Sequence, residues 1–492
     1  MFNQYYQDEL LFLRDLGREF AKANPESAKY LGEPGADPDV ERLLEGVAFL
    51  AGRIRQKLDD ELPELTHALI DRFWPHYLRP LPAMAVVQFT PSAQTRDTLR
   101  LSAGTRVDSI AVQGTACRFR TAYAVELAPL RLERVELERE PARLRLGLRL
   151  KDGASLGRCG IDRLRLHLAG EATVSRALHA CLCRYASRVS IASAIGGPAQ
   201  ALTVSPVGFA ADESLLPFPG TSSTGYRVLT EYFAYPGKFM FVDLVGLAAA
   251  APALGDANEL TVTIELERLP ARMPPVSLAN VVLGCAPALN LFAHEADPIA
   301  VDQRQSEYRV RPSGNDPAHY EIHSLTAVQG LVRGSAGARS YRPMLHVDRG
   351  PDAGHGSYHE RRRPSVLGSG ADHYLSVTDR DAGGGAAETM SVSLLCTNRD
   401  LPAALALGDL RVPTADVPAG VTVRNLTLPT ASVSPAVASD LHWRLLAHLN
   451  VTYSSAADLE SLRAILDLYD LRDAGDRAAE RSHQRRRDAI LA

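Results

Sequence analysis

Three residues of one short run, His179, Cys181 and Cys183 in HACLC, are soft metal ligands at alternating positions. On a strand they would share one face and offer three ligands to a zinc ion. Zinc sites usually draw on two separated ligand pairs, and the remaining cysteines, at 117, 159, 285 and 396, form no second pair. The same run, LHACLCRYA, serves equally well as an apolar element in which a free thiol packs as a small hydrophobe. A second concentration is HGSYHERRR, where His355, His359, Arg361, Arg362 and Arg363 precede His373. It could receive a phosphate or a divalent metal, and its plainer reading is a long solvated loop between strands. A third, Arg485, Arg486 and Arg487, could touch nucleic acid, but Asp473, Asp476, Glu480 and Asp488 stand close by and make it read as a solvated helix face. No phosphate loop, nucleophile elbow, H-E-x-x-H pair or dinucleotide glycine pattern occurs.

Such residues need a scaffold, and 492 residues supply about three domains' worth. Hydrophobic residues make up 46% and charged residues 23%, so the chain reads as a folded globular protein, neither disordered nor disulfide-stapled. Only five of the 54 basic residues are lysines, which reflects a GC-rich coding sequence before it reflects recognition. Net charge is −4, with the acidic excess in the first eighty residues, so no nucleic-acid-binding field is expected. Six sparse cysteines suggest reduced thiols in a cytosolic protein. MFNQYYQDELLFLRDL lacks a basic start and carries Asp8 and Glu9 where a signal peptide is uncharged. The longest apolar run, LVGLAAAAPAL from Leu244, is too short to span a bilayer and is broken by Pro252. The expectation is a chain neither exported nor inserted in a membrane.

The opening is helical. Tyr6, Leu10, Leu13 and Phe20 recur near a 3.6-residue period until Pro25. Asp37 is a good N-cap ahead of Pro38, and Val40, Leu43, Leu44, Val47, Leu50, Ala51, Ile54 and Leu58 then run at spacings of three and four. A shorter helix after Pro63, with Leu65, Leu69 and Phe73 on one face, ends in WPHYLRPLP, and Trp74 and Trp443 are both expected in helices. The two apolar stripes are wider than two short helices can bury on each other, so either the body of the chain covers them or a partner does.

From Ala83 the period changes to two. ARLRLGLRL places Leu144, Leu146, Leu148 and Leu150 on one face and Arg143, Arg145 and Arg149 on the other, and RLRLHL repeats the device. Further strands are expected at VVQFT from Val86, TVTIELERL from Thr261, YRV from Tyr308, YEIHSL from Tyr320, HYLSV from His373, SVSLLC from Ser391 and VTVRNLTL from Val421. After Pro435 the pattern returns to helix, through Leu441 to Leu449 and Leu459 to Tyr469. The fold class is therefore α+β: a helical N-terminal module (1–82), a first β-rich region (83–260), a second (261–433), and the helical start of a mixed C-terminal region (434–492).

Several long segments are more specific than any of these patterns. YYQDELLFLRDLGREFAKANPESAKYL and DPDVERLLEGVAFLAGRIRQKLDDELPELTHALIDRFWPHYLRPLPAM closely resemble the opening of the TssF (VasA, ImpG) family of type VI secretion baseplate subunits. The resemblance continues through TEYFAYPGKFMFVDL, LNLFAHEADPIAVD, LLCTNRDLP and HWRLLAHLNVTY, and so covers essentially the whole chain. It implies a structural role without catalysis, cofactor or metal. Two TssF copies with one TssG would form a cytoplasmic wedge that joins TssK and TssE, and wedges would build the baseplate for sheath and tube, docked at the cytoplasmic side of the inner-membrane complex. TssF-like chains run on for about another small domain's length, so the C-terminal region here is expected to be cut short.

On that reading Tyr5, Tyr6, Leu10, Val40, Leu43, Leu44, Val47, Leu50 and Ile54 are packing or partner-facing residues, and Asn398, Arg399 and Asp400 form a turn clamp. The rivals are a β-rich ligand-binding module with no secretion role, and a metal-dependent enzyme built on His179, Cys181 and Cys183 or on the His355 loop.

Overall fold

The computed structural model describes residues 2–27, 37–59, 69–71, 74–194, 196–218, 224–302, 305–314, 316–332, 338–344, 356–365, 370–379 and 388–435, with a few isolated positions besides. Two compact units result, a helical one over residues 1–69 and a β-rich one that begins at Ile70.

In the helical unit, α1 (Phe2–Ala23) ends where the Asn24 backbone and side-chain amides both donate to the Phe20 carbonyl, just before Pro25. Helix α2 (Pro38–Asp59) starts as its sequence dictates. The Asp37 carboxylate accepts from the Asp39 amide at 2.9 Å, Pro38 gives up no needed donor, and Asp39 and Glu41 face the positive end of the helix dipole.

Trp74 departs from its expected helix. It is buried immediately ahead of a single 3-10 turn, Pro75–Leu78, because prolines at 75 and 80 leave no room for more than one turn. Of the short helix placed after Pro63, Leu65 and Phe73 lie outside the described residues, as do Trp443 and most of the helices placed over Leu441 to Leu449 and Leu459 to Tyr469, of which the described positions, 446, 463, 466 and 467, are helical.

The β-rich unit contains three large sheets, each over its own core. The first orders Val412–Pro413, Arg106–Val112, Thr115–Thr121, Cys285–Leu289, Met84–Pro91 and Val421–Asn425. The second orders Val281–Leu283, Arg163–Leu168, Phe241–Val245, Gln200–Pro206, Ala186–Ser193, Glu259–Leu266, Ala142–Leu150 and Leu130–Arg139. The third orders Phe292–Glu295, Glu388–Thr397, Glu321–Val332, Ala338–Pro343, Gly356–Pro364, Ala371–Asp379 and Tyr308–Val310, and Ile299–Val301 also pairs with Glu388–Thr397. Among the described strands only Ala338–Pro343 and Gly356–Pro364 run parallel. Each sheet curls enough to bring its outer strands near one another, Val412–Pro413 near Val421–Asn425, Val281–Leu283 near Leu130–Arg139 and Ile299–Val301 near Tyr308–Val310. Because the first sheet takes strands from residues 84–121, 285–289 and 412–425, the second and third are excursions from it, and the chain returns to one frame after each.

The α+β expectation holds, and every strand expected from alternation is present. In Ala142–Leu150 the four leucines are buried, while Arg145 reaches Glu138 at 3.3 Å and Arg149 reaches Glu259 at 3.3 Å across the neighbouring strands.

Two expectations are corrected. HACLC is not a strand but the end of α3 (Ala172–Arg184), whose Ser175, Leu178, Cys181 and Leu182 repeat at helical spacing and enter the second core. HGSYHERRR is not a solvated loop either. From Gly356 it is a strand in which Tyr358 and Arg362 are buried and Arg361 turns outward to bond Glu307 at 3.0 Å; His355 itself lies outside the described residues. The alternation of inward and outward side chains, rather than the charge count, governs this segment.

Packed against the first two sheets is a balanced buried ion network around α4 (Thr224–Ala234) and the turn Pro236–Phe239. Lys238 and Glu231 form a fully buried ion pair, and Lys238 also donates to the Glu213 carbonyl at 3.0 Å. Glu231 accepts from the Leu215 and Leu216 amides at 2.7 and 3.2 Å. Arg165 grips Asp243 with two 2.8 Å bonds and Glu213 at 2.9 Å, and Arg227 donates to the carbonyls of Phe209, Ala210 and Ala211. The segment TEYFAYPGKF thus carries its two charges as framework.

Candidate interaction surface

The metal reading fails on geometry. A helix puts His179 and Cys183 on one face, with Sγ and Nε2 3.5 Å apart, and turns Cys181 into the core. Burial pushes the Cys181 thiol up to about 11, so it stays protonated and poor as a ligand. Among the described residues no cluster of His, Cys, Asp and Glu could hold a metal ion, and all six cysteines are free. Of the terminal arginines, Arg486 and Arg487 lie outside the described residues.

What the structure offers instead is an apolar surface on the helical unit. The two helices meet through small residues. Ala48 is fully buried, Ala21 and Leu10 nearly so, and a Cβ on Gly52 would stand 3.1 Å from the Tyr6 nitrogen and 3.2 Å from its Cα. Arg14 pairs with Glu41 and Arg55 with Glu9 between the helices. This close approach uses only a narrow stripe of each helix, so most of the large apolar side chains remain outside it. Leu43, Val47, Leu50 and Ile54 stand 50–69% exposed along α2, and Phe12, Leu16 and Phe20 52–60% exposed along α1. These seven residues, at helical spacing on each element, make an apolar stripe of the kind that marks a protein interface.

Of the residues singled out from sequence, Leu43, Val47, Leu50 and Ile54 are therefore exposed, Val40 and Leu44 half-buried, Leu10 buried, and Tyr5 and Tyr6 set against Gly52 through their backbone. Leu11, Phe12 and Leu16 went unnamed, although the i, i+4 recurrence of Phe12, Leu16 and Phe20 was present in the sequence. Because the contact at Gly52 is with backbone, Gly52→Val must push α1 away. The expected loss is about 1–3 kcal/mol in the helical unit, read as early exchange of the α1 amides in hydrogen–deuterium exchange.

The turn at Asn398 joins the first and third sheets. Its buried Oδ1 accepts from the Arg118 amide at 3.0 Å and Asn290 Nδ2 at 2.8 Å, and its amide donates to Asn290 Oδ1 at 2.6 Å. Arg399, at φ +49°, donates to the Tyr320 carbonyl at 3.0 Å, while Asp400 makes no side-chain cap to the turn that follows it.

Beside this turn, Glu321 is buried, and burial raises its carboxyl to about 7 against the pull of Arg399. A folded pKa above the unfolded one favours the protonated form, so its contribution is full below about pH 4.5 and is lost as pH rises through 7. Glu321→Gln is accordingly expected to raise the melting temperature at pH 8, by about 1–3 kcal/mol of stability. The gain should vanish toward pH 4.5 in melting curves taken across that range.

A sequence profile described as "Type VI secretion system, TssF" matches residues 1–490. The chain belongs to the TssF family. A curated relative, the type VI secretion system component TssF1 of Pseudomonas aeruginosa, is 32% identical over 533 aligned positions that cover 97% of this chain and 84% of the relative. Among solved structures, a chain of the TssK–TssF–TssG baseplate subcomplex, determined by cryo-electron microscopy, superposes with a TM-score of 0.75 and 35% identity over 92% of this chain and 84% of that one. In this TssF-family chain no described helix is long and apolar enough to cross a membrane.

Proposed function

We propose that this chain is a non-catalytic wedge subunit of a type VI secretion baseplate, assembled with TssG and TssK on the cytoplasmic side of the inner membrane. The likeness to a chain of the TssK–TssF–TssG subcomplex, at a TM-score of 0.75 over 92% of the sequence, carries the reading. The exposed stripe on α1 and α2 supports an assembly role, because several large apolar side chains in water at helical spacing are costly for a protein that acts alone. That stripe is the surface we assign to a helical partner, TssG or a second copy of this chain, with Leu43, Val47, Leu50 and Ile54 at its centre. TssE joins the same wedge. The three curled sheets act as a rigid body that fixes the angle between partners, and wedges close into a ring only when that angle matches the ring's rotation.

The test is co-expression of the tagged chain with the TssG and TssK of its own organism, with mass and stoichiometry read by light scattering. A stable complex with two copies per TssG is the expected result. A chain that stays alone beside folded partners would overturn the assignment.

A further inference from the structure

Buried charge around Lys238 is balanced: Lys238, Arg165 and Arg227 meet Glu231, Glu213 and Asp243. A second buried cluster, in the third sheet, is not. Arg362, only 5% exposed, reaches Glu360 at 2.9 Å and Asp71 at 3.4 Å, and Glu360 also takes the His373 Nδ1 contact at 2.6 Å. Arg79 and Arg120 face the same centre, and no carboxylate pairs with either among the described residues. Three guanidinium groups therefore share two carboxylates, and one of those, Asp71, is itself 44% exposed. The Nε atoms of Arg79 and Arg362 are both buried without a hydrogen-bond partner.

Arginine cannot shed the surplus by losing its proton. Neither can the imidazoles supply a negative charge. His323 is the residue at which the Glu321–Val332 strand bulges, and it is turned into this centre. Burial first, then Arg79, Arg120, Arg362 and His373, hold it well below the ordinary histidine range, and hence neutral. Among the described residues the cluster thus carries one positive charge more than its carboxylates balance, with the Arg362 side chain and the Arg79 Nε withdrawn from water, a state that a counter-ion would relieve.

Beside Arg79 and His323 lies a small, partly open pocket lined by the Pro75–Pro80 turn, His76, Leu216 and Phe218. Its volume is about 10 Å³, room for one particle of water size. A phosphate or a carboxylate-bearing ligand is too large. A water molecule fits but cannot neutralise the charge. We propose that the cavity between Arg79 and His323 holds a single halide ion, chloride in the cell, as the internal counter-ion of the third sheet.

The decisive experiment uses the full chain. Melting temperature is measured at constant ionic strength in sodium chloride and in sodium gluconate, whose anion cannot enter. A site that binds only the folded state raises the midpoint by several degrees in chloride, in proportion to the logarithm of its concentration. Arg79→Met removes the surplus charge and is expected to abolish the difference between the two salts. Crystals grown in bromide supply a readout that needs no variant, an anomalous peak between the Arg79 guanidinium and the His323 ring. Equal midpoints in both salts, or density there without an anomalous signal, would mean an ordered water and overturn the proposal.

Discussion

Leu43→Asp combined with Leu50→Asp is expected to abolish capture of the helical partner while leaving the chain folded. Both side chains are more than 60% exposed, so each substitution costs the free protein only the difference in helix propensity, about 0.5 kcal/mol. In a complex the balance is different. Two leucines covered by a partner contribute about 1.5–3 kcal/mol each, and two carboxylates placed there must also be desolvated. A combined loss of about 5 kcal/mol or more lowers affinity over a thousandfold. Co-purification and light scattering would show the loss, and an unchanged circular-dichroism melt would show that folding is intact. Wild-type assembly by the double variant would remove the stripe from the interface. Ala48→Asp is the wrong test, because Ala48 is buried between the helices and its loss of capture would report unfolding.

That stripe also marks how far the sequence could be read. Its spacing was plain in Val40 to Ile54, but an amphipathic helix has the same pattern whether its own chain or another covers it. Exposure is a tertiary fact, decided here by Gly52 and Ala48, which draw the helices together along a line of small residues rather than along the leucines. The strands were legible for the opposite reason. Leucine and arginine alternate so regularly in ARLRLGLRL that one register alone buries every leucine.

HACLC misled because three residues at alternate positions share one face of a strand, whereas a helix keeps only His179 and Cys183 together. Only the wider spacing of Ser175, Leu178, Cys181 and Leu182 distinguishes helix from strand. In HGSYHERRR the signal was parity. Tyr358, Glu360 and Arg362 share the inward face, whereas Arg361 and Arg363 turn outward to Glu307, and a run of charges hides that alternation from any reading based on composition.

The largest effect on stability is expected at Lys238 and Glu231. Burial lowers the Lys238 pKa while Glu231 opposes it, and with both side chains fully buried neither charge has water to fall back on. Lys238→Met leaves the Glu231 carboxylate buried with the Leu215 and Leu216 amides but without its cation, and removal of one member of such a pair costs about 3–5 kcal/mol. For a unit of this size the midpoint should fall by about 5 °C. Glu231→Gln should cost less, because the amide oxygen can keep the two backbone donors while Lys238 loses its counter-charge. Lys238→Met with Glu231→Gln removes both charges together while the amide oxygen keeps the two backbone donors, and should recover most of the loss, so a double-mutant cycle by thermal melting gives a strong favourable coupling. Additive losses would mean that the two charges are compensated separately. A strong coupling also explains why an ion pair stands where leucine and methionine could pack. Its two amide bonds and the Glu213 carbonyl contact fix α4 in one position against the sheets. Apolar contacts alone would let that helix slide, and a body that sets the angle between partners gains from a single docked position.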